Sequence, residues 1–506
     1  MSAWQTTPIK ASAWLVLLVS AWHLWLAGQV NLSVDEAHYA LYGLKLDWSY
    51  FDHPPMVGWL NAIAVQLGQS DRVLRVIPAV FFALSNGLLY VITTRLFADF
   101  KWVGFWTLAL VNSAFMFQLL SISMLPDTPL MLASLMVVWL LLNLRDQPAT
   151  SRAAFRSALW LGFWMGIAAL SKYTAITLVF SLLGVMIIER RFDWLKNKGL
   201  WLAIALTALM TTPIWFWNSQ HDWLSILYQI HHGSQNTDWQ FQRFINSQLA
   251  QMAVYSLLLF IVGIALMLTC WRPGLQTETQ QTNASTRILS LFSLPIIVLF
   301  GWTSGYEMSL PHWTQLAWLL ISPAVVYVCW QQWSHRWLRI SVYFSSALTL
   351  TLSGLLNSQL AAPWMPLSEK NNIVRELHGW PEAISEAKKL QQQYKAPLFA
   401  SNWTQASRIA WYAFPQPVYV TDNRFDQFDL WFGNPPNGSN GLVIIPGYET
   451  HPPKTTRPGH FSQCKRVKSL PIERNQRIIV RYHYYYCQDF QAVQYQGWAA
   501  DLVVSQ

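Results

Sequence analysis

The chain has 506 residues, 53 % of them hydrophobic and 12 % charged, with 30 Trp and a formal net charge of +9. A soluble domain of this size carries roughly twice that charge, so the composition is that of a membrane protein. The basic residues fall in short clusters between apolar runs, a pattern of connections between membrane spans that excludes a phosphate-binding face for nucleic acid.

A spanning helix needs about 17–25 mainly apolar residues. Eleven such runs follow one another: Ala11–Val30, Val76–Thr94, Trp102–Met124, Thr128–Leu144, Ser157–Leu170, Tyr173–Ile188, Gly199–Trp217, Phe244–Cys270, Ile288–Thr303, Trp313–Trp330 and Ile340–Leu356. The first is uncharged to Val34 and lacks a small-residue cleavage site, so it reads as a retained helix rather than a signal peptide. Alternate connections carry the Lys and Arg: Lys10, Arg95 and Lys101, Arg145 to Arg156, Arg190 to Lys198, Arg272 and Arg287, Arg336 and Arg339. These are expected on the cytoplasmic side. The N-terminus then lies inside, and the 31–75 loop, the 218–243 loop and everything after 357 lie outside.

The first outer loop is the densest in chemistry. It reads DEAHYALYGLKLDWSYFDHPP from Asp35 to Pro55. An Asp-Glu pair stands just past a helix end, and Asp52-His53 is followed by two prolines that stiffen the backbone. Two acids and a fixed His at one interface suit acid/base chemistry on a lipid-anchored substrate. Ala37–Leu46 and Met56–Gly68 are expected to form two surface helices flanking that turn.

Residues 1–356 therefore form a membrane domain, and 357–506 a different kind of sequence. Ser368–Tyr394 reads as a helix broken at Gly379-Trp380-Pro381, followed by a strand at Pro397–Ala400 and a helix at Thr404–Tyr412. Val418–Thr421, Leu442–Ile445 and Arg477–Tyr486 read as strands. Helices alternating with short strands indicate a small α/β domain outside the membrane. The fold class is thus mainly α and polytopic, with about 11 transmembrane helices and a C-terminal α/β extracytoplasmic domain. Cys464 and Cys487 lie in this tail, on the oxidising side, and are expected to form a disulfide. Cys270 and Cys329 end hydrophobic runs, and no CxxC or Cys/His metal spacing occurs.

The loop DEAHYALYGLKLDWSYFDHPPMVGWL resembles the first outer loop of the bacterial branch of the protein O-mannosyltransferase superfamily, which includes the lipid A aminoarabinose transferases. These are C-type glycosyltransferases, polytopic enzymes that take sugar from a polyprenyl-phosphate carrier. Further segments fall in family order: MLPDTPLML with Asp127, ALSKYTA with Lys172, YQIHHG, SLPHWTQLAW, and in the tail ASNWTQASRIAWYAF and DQFDLWFG. Two positions depart from the pattern. His38 stands where many members have Tyr or Arg, and His53 stands where the aminoarabinose transferases have a phosphate-binding Lys.

The resemblance implies an inverting displacement at a sugar C1, with a polyprenyl (undecaprenyl) phosphate leaving and an envelope acceptor (lipid A, polysaccharide or protein) attacking. It makes Asp35 the base. Glu36 and Asp127 are the other candidate catalytic acids, with an N-cap as the plain alternative for Asp127. His38, Asp52, His53, Lys172, His232, Arg243 and His312 are candidate substrate-binding groups, Lys172 and His53 for the carrier phosphate. No cofactor is expected. A divalent metal at Asp35, Glu36, His38, Asp52 and His53 fits by residue type, but no compact ligand spacing supports it. The expected location is a bacterial inner membrane, with the tail in the periplasm. A transporter or flippase of lipid-linked sugars is the rival class. It would show polar groups inside mid-membrane helices and two repeated halves, whereas here the charges cluster at one face and no repeat is seen.

Overall fold

The computed structural model describes residues 7–231, 238–271, 280–307, 309–449, 453, 460–493 and 495–498. Among these, eight helices are long and apolar enough to cross a membrane, and two bent helix pairs raise that number to ten. A further apolar stretch, Tyr173–Ile188, is shorter. It nonetheless runs from end to end, because Lys172 before it meets Asp127 while Glu189 after it meets Arg145. The Asp127–Arg145 helix makes the same traverse. The basic connections meet at one end. There Arg95 bonds Asn143 and Asp146, and Arg191 bonds the Arg145 carbonyl.

Two runs expected as single spans are broken. Trp102–Met124 divides into Val103–Ser113 and Phe115–Ile122, bent by 80°, and Phe244–Cys270 falls within Phe241–Tyr255 and Leu257–Thr269, bent by 118°. A break in lipid frees backbone groups that need partners. At the first break, Gln118 Nε2 donates to the Asn112 carbonyl at 2.9 Å and Ser353 Oγ to the Ser113 carbonyl at 2.7 Å. At the second, Ser256 takes φ +147° and Ser345 Oγ accepts the Leu258 N–H at 2.9 Å. Ser345 and Ser353 both lie on Arg336–Ala361, so one long helix satisfies both breaks.

The two outer-loop helices are Val34–Leu44 and Met56–Leu67. Met56–Leu67 keeps Ile63 and Leu67 exposed, as a surface helix does, but the first is not a surface helix. Val34–Leu44 is buried along most of its length, and Leu41 belongs to the hydrophobic core of the tail. The two helices cross closely at Gly43, where a Cβ would stand 2.7 Å from the Asn61 backbone. The first helix is held by Arg75, a buried side chain whose five N–H donors are all used. Nε and Nη2 meet the two Glu36 oxygens at 2.8 and 2.9 Å, Nη1 meets the carbonyls of Ala27 and Val30, and Nη2 also meets that of Asn31.

In the tail, β1 (Leu398–Ala400), β2 (Val418–Val420), β3 (Gly441–Pro446), β4 (Phe461–Arg474) and β5 (Arg477–Phe490) form one sheet in the order β2-β1-β3-β5-β4. β2, β1 and β3 run parallel; β5 and β4 are antiparallel additions. Two elements were not expected, β4 and the short helix Gln427–Phe432. The expected Ser368–Tyr394 helix starts only at Trp380, with Pro381 in its first turn and Gly379 at φ +87° before it. Cys464 and Cys487 are register partners on β4 and β5, with Cα atoms 4.1 Å apart and joined by a disulfide.

The tail is docked on the loop through side chains. Asp71 accepts from Trp411 Nε1 at 3.0 Å and from the Tyr412 hydroxyl at 2.6 Å, and Gln427 Oε1 accepts the Phe51 N–H at 2.8 Å.

Removing one member of a buried ion pair costs about 3–5 kcal/mol. Glu36→Gln and Arg75→Met should each lower unfolding stability by that order, read as a large drop in thermal midpoint of the purified protein. Arg75→Lys should not restore it, because an ammonium has three donors instead of five. A wild-type midpoint in Glu36→Gln would show that the pair does not hold the loop.

Candidate active site

A cavity of about 280 Å³ opens where the loop helices, the membrane domain and the tail meet. Asp35 reaches it because Ser33 caps the Val34–Leu44 helix. Ser33 Oγ accepts the Glu36 N–H, and Glu36 Oε2 accepts the Ser33 N–H at 3.0 Å. Asp35 lies in the first turn so defined, and His38 and Tyr42 follow on the same helix. Asp52 and His53 come from the turn before Pro54-Pro55, where the His53 carbonyl accepts the Tyr50 N–H at 3.2 Å. Asp127 begins its long helix and Lys172 ends another, and His312 sits in the short Pro311–Thr314 turn.

Six expected residues therefore line one space with Asp35: His38, Asp52, His53, Asp127, Lys172 and His312. Asp52 accepts from the Tyr42 hydroxyl, and His38 Nε2 lies 3.8 Å from its carboxylate. His38 Nδ1 meets Ser407 Oγ of the tail at 3.1 Å. Lys172 Nζ bonds both Asp127 oxygens at 2.9 and 2.8 Å. That settles the cap question, since the Asp127 carboxylate makes no cap bond and goes to Lys172 instead.

Three expected residues are not in this space. Glu36 is a correction: its carboxylate is directed to Arg75 and Ser33 and does not line the cavity. Arg243 is another, since its guanidinium bonds the Tyr306 carbonyl away from the cavity. His232 lies outside the described residues. Sequence reasoning also missed part of the lining. Tyr228 and Phe51 come from the membrane side, and Trp403, Arg424, Asp426 and Gln427 from the tail. Asp426 and Gln427 open the DQFDLWFG segment singled out above, but only folding carries them to the loop. Among the described residues, no group of three or more His, Cys, Asp or Glu is placed to hold a metal ion.

The electrostatics separate the carboxyls. Burial pushes Asp35 up to about 6, with Asp52 and Asp127 adding to the shift and His38 and Lys172 opposing it. Burial would also raise Asp52, but the neighbouring His38 and His53 rings and the hydrogen bond from the Tyr42 hydroxyl hold it well below the usual range. Burial lowers His53 to about 4, against the pull of Asp52. His53 is thus a neutral imidazole at neutral pH, and among the described residues its buried Nδ1 meets no hydrogen-bond partner. The site holds two acids locked by their partners, Asp52 and Asp127, and one, Asp35, that is poised to exchange a proton near neutrality.

Known proteins resemble this chain along most of its length. The family described as dolichyl-phosphate-mannose-protein mannosyltransferase matches residues 52–217. The lipid A galacturonosyltransferase RgtD of Rhizobium johnstonii is 22 % identical over 430 residues, covering 82 % of each chain. The crystal structure of ArnT from Cupriavidus metallidurans in the apo state superposes with a TM-score of 0.58 at 16 % identity, covering 86 % of this chain and 93 % of that one. Fold and matches together define a multi-pass membrane glycosyltransferase of the C type. The chain is similar to the superfamily that contains the protein O-mannosyltransferases and ArnT, in sequence over residues 52–217 and in fold over most of its length.

The Lys172–Asp127 pair is testable as a unit. Lys172→Met leaves a buried carboxylate unpaired and should cost about 3–5 kcal/mol. Adding Asp127→Asn should recover much of that loss, a coupling read from thermal unfolding of the four proteins of the cycle. Additive losses would mean that the two side chains act independently.

Proposed function

We propose that this protein transfers a sugar from undecaprenyl phosphate to an envelope acceptor hydroxyl, with Asp35 as the base. The observation that carries this reading is the position and affinity of Asp35, on the cavity wall with its carboxyl raised to about 6. The acceptor oxygen attacks the sugar C1, and its proton passes to Asp35. The bond from C1 to the phosphate oxygen breaks, and its electron pair leaves with the lipid phosphate, so configuration at C1 inverts. Charge develops on the leaving phosphate, where a fixed cation is worth most. Lys172 gives two hydrogen bonds to Asp127, and an ammonium has a third donor to offer a phosphate. Neutral His53 stands beside it. The activity of RgtD on lipid A supports an acceptor in the cell envelope.

The same reading puts the cavity and the tail on the periplasmic side of a bacterial inner membrane. It is supported by the gathering of Arg95, Arg145 and Arg191 at the end away from Asp127. A phosphatase fused after Gln506 should be active and a cytoplasmic reporter there silent. The reverse result overturns the orientation.

Asp35→Asn keeps the shape but removes the base, and transfer should fall by roughly 100-fold or more. In the wild type, kcat/KM should decline as pH falls through about 6, because protonated Asp35 cannot accept the acceptor proton. Transfer assays with purified protein and mass spectrometry of the glycolipid product read both. A well-folded Asp35→Asn protein with near-normal transfer would remove Asp35 from the chemistry.

A further inference from the structure

The cavity has two polar ends. At one, Lys172, Asp127 and His312 belong to the membrane domain. At the other, Arg424 and Asp426 come from the tail and face Tyr228 and Phe51. Asp52 links the ends, since Asp35 and Arg424 both respond to its charge.

The tail end is polar but unfinished. Asp426 is 4 % exposed. Its Oδ1 accepts the Phe428 N–H at 2.8 Å, whereas its Oδ2 is buried and, among the described residues, has no hydrogen-bond partner. A buried oxygen in that state costs free energy that a ligand's O–H would recover. Arg424 is exposed. Among the described residues its guanidinium makes one hydrogen bond, a long one of 3.4 Å to the Tyr228 hydroxyl, and lies 5.5 Å from that ring. Most of its five N–H donors are therefore free. Gln427, between them, is committed to the Phe51 N–H, which ties the tail to the loop at this point.

Resting on the function proposed above, we propose that this end is the subsite for the transferred sugar, with Arg424 donating to and Asp426 accepting from its ring hydroxyls. A hydroxyl is both donor and acceptor, and a guanidinium beside a carboxyl offers the complement of each. Tyr228 and Phe51 supply apolar faces for the C–H side of a pyranose. The carrier phosphate belongs at the Lys172 end, where an ammonium that gives two hydrogen bonds to Asp127 has a third donor to offer. The tail is then part of the catalytic site and reads the sugar.

The test uses the full chain in nanodiscs, lipid A as acceptor, and undecaprenyl phosphate carrying a hexose, an aminohexose or a hexuronate as donors. Arg424→Gln and Asp426→Asn should raise the donor KM by about 10-fold or more, the usual loss when a hydrogen bond to a charged group is removed. Arg424→Lys should recover part. Acceptor KM, binding of sugar-free undecaprenyl phosphate and the thermal midpoint should stay as in the wild type. Because Arg424 is exposed, its variants carry the test if Asp426→Asn does not fold. Unchanged donor KM, a raised acceptor KM, or weaker binding of the bare carrier would each overturn the sugar subsite. If the wild type transfers none of the sugars, the proposed donor and acceptor fall first.

Discussion

The active loop depends on one buried guanidinium. Arg75 spends its five donors on Glu36 and on the carbonyls of Ala27, Val30 and Asn31. Those partners are the end of the first membrane helix, the connection after it and the start of the Val34–Leu44 helix. An isolated charge at this depth would be unfavourable, and it is tolerated because every donor is met. Glu36, fixed in this way, closes the capping box with Ser33 and sets the turn that presents Asp35. Adjacent acids thus divide the work, one holding the backbone and the other facing the cavity.

The membrane domain follows the same rule of satisfied polar groups. Its two broken spans are kept in lipid by Ser345 and Ser353 of a single late helix. The cavity, in turn, is bounded by the membrane domain and by loop and tail segments more than 250 residues apart in sequence. Asp71, Ser407 and Gln427 bridge them with hydrogen bonds to aromatic, imidazole and backbone groups, so loop and tail form one wall.

Much was legible in the residues. The positions of the apolar stretches follow from hydropathy, because the bilayer demands long uncharged runs. Most tail strands and the pairing of Cys464 with Cys487 were also readable. Hydropathy could not see the breaks at Ala114 and Ser256, since both lie inside apolar runs and are decided by side chains on another helix. Strand β4 was missed because it is amphipathic, charged and on the sheet edge, without the apolar signal of a buried strand.

At the site, the sequence by itself determined an inventory of ten candidates, of which seven, Asp35, His38, Asp52, His53, Asp127, Lys172 and His312, line one cavity. Only the tertiary structure decided how they pair. Glu36 goes to Arg75 and Asp127 to Lys172. Arg424 and Asp426 arrive from the tail because its Trp403–Ala413 helix packs on the loop helix, with Leu41 in the tail core. Local pattern determines which side chains stand near a surface. Which carboxylate is neutralised, and which is left able to take a proton, depends on burial and on cations brought from distant parts of the chain.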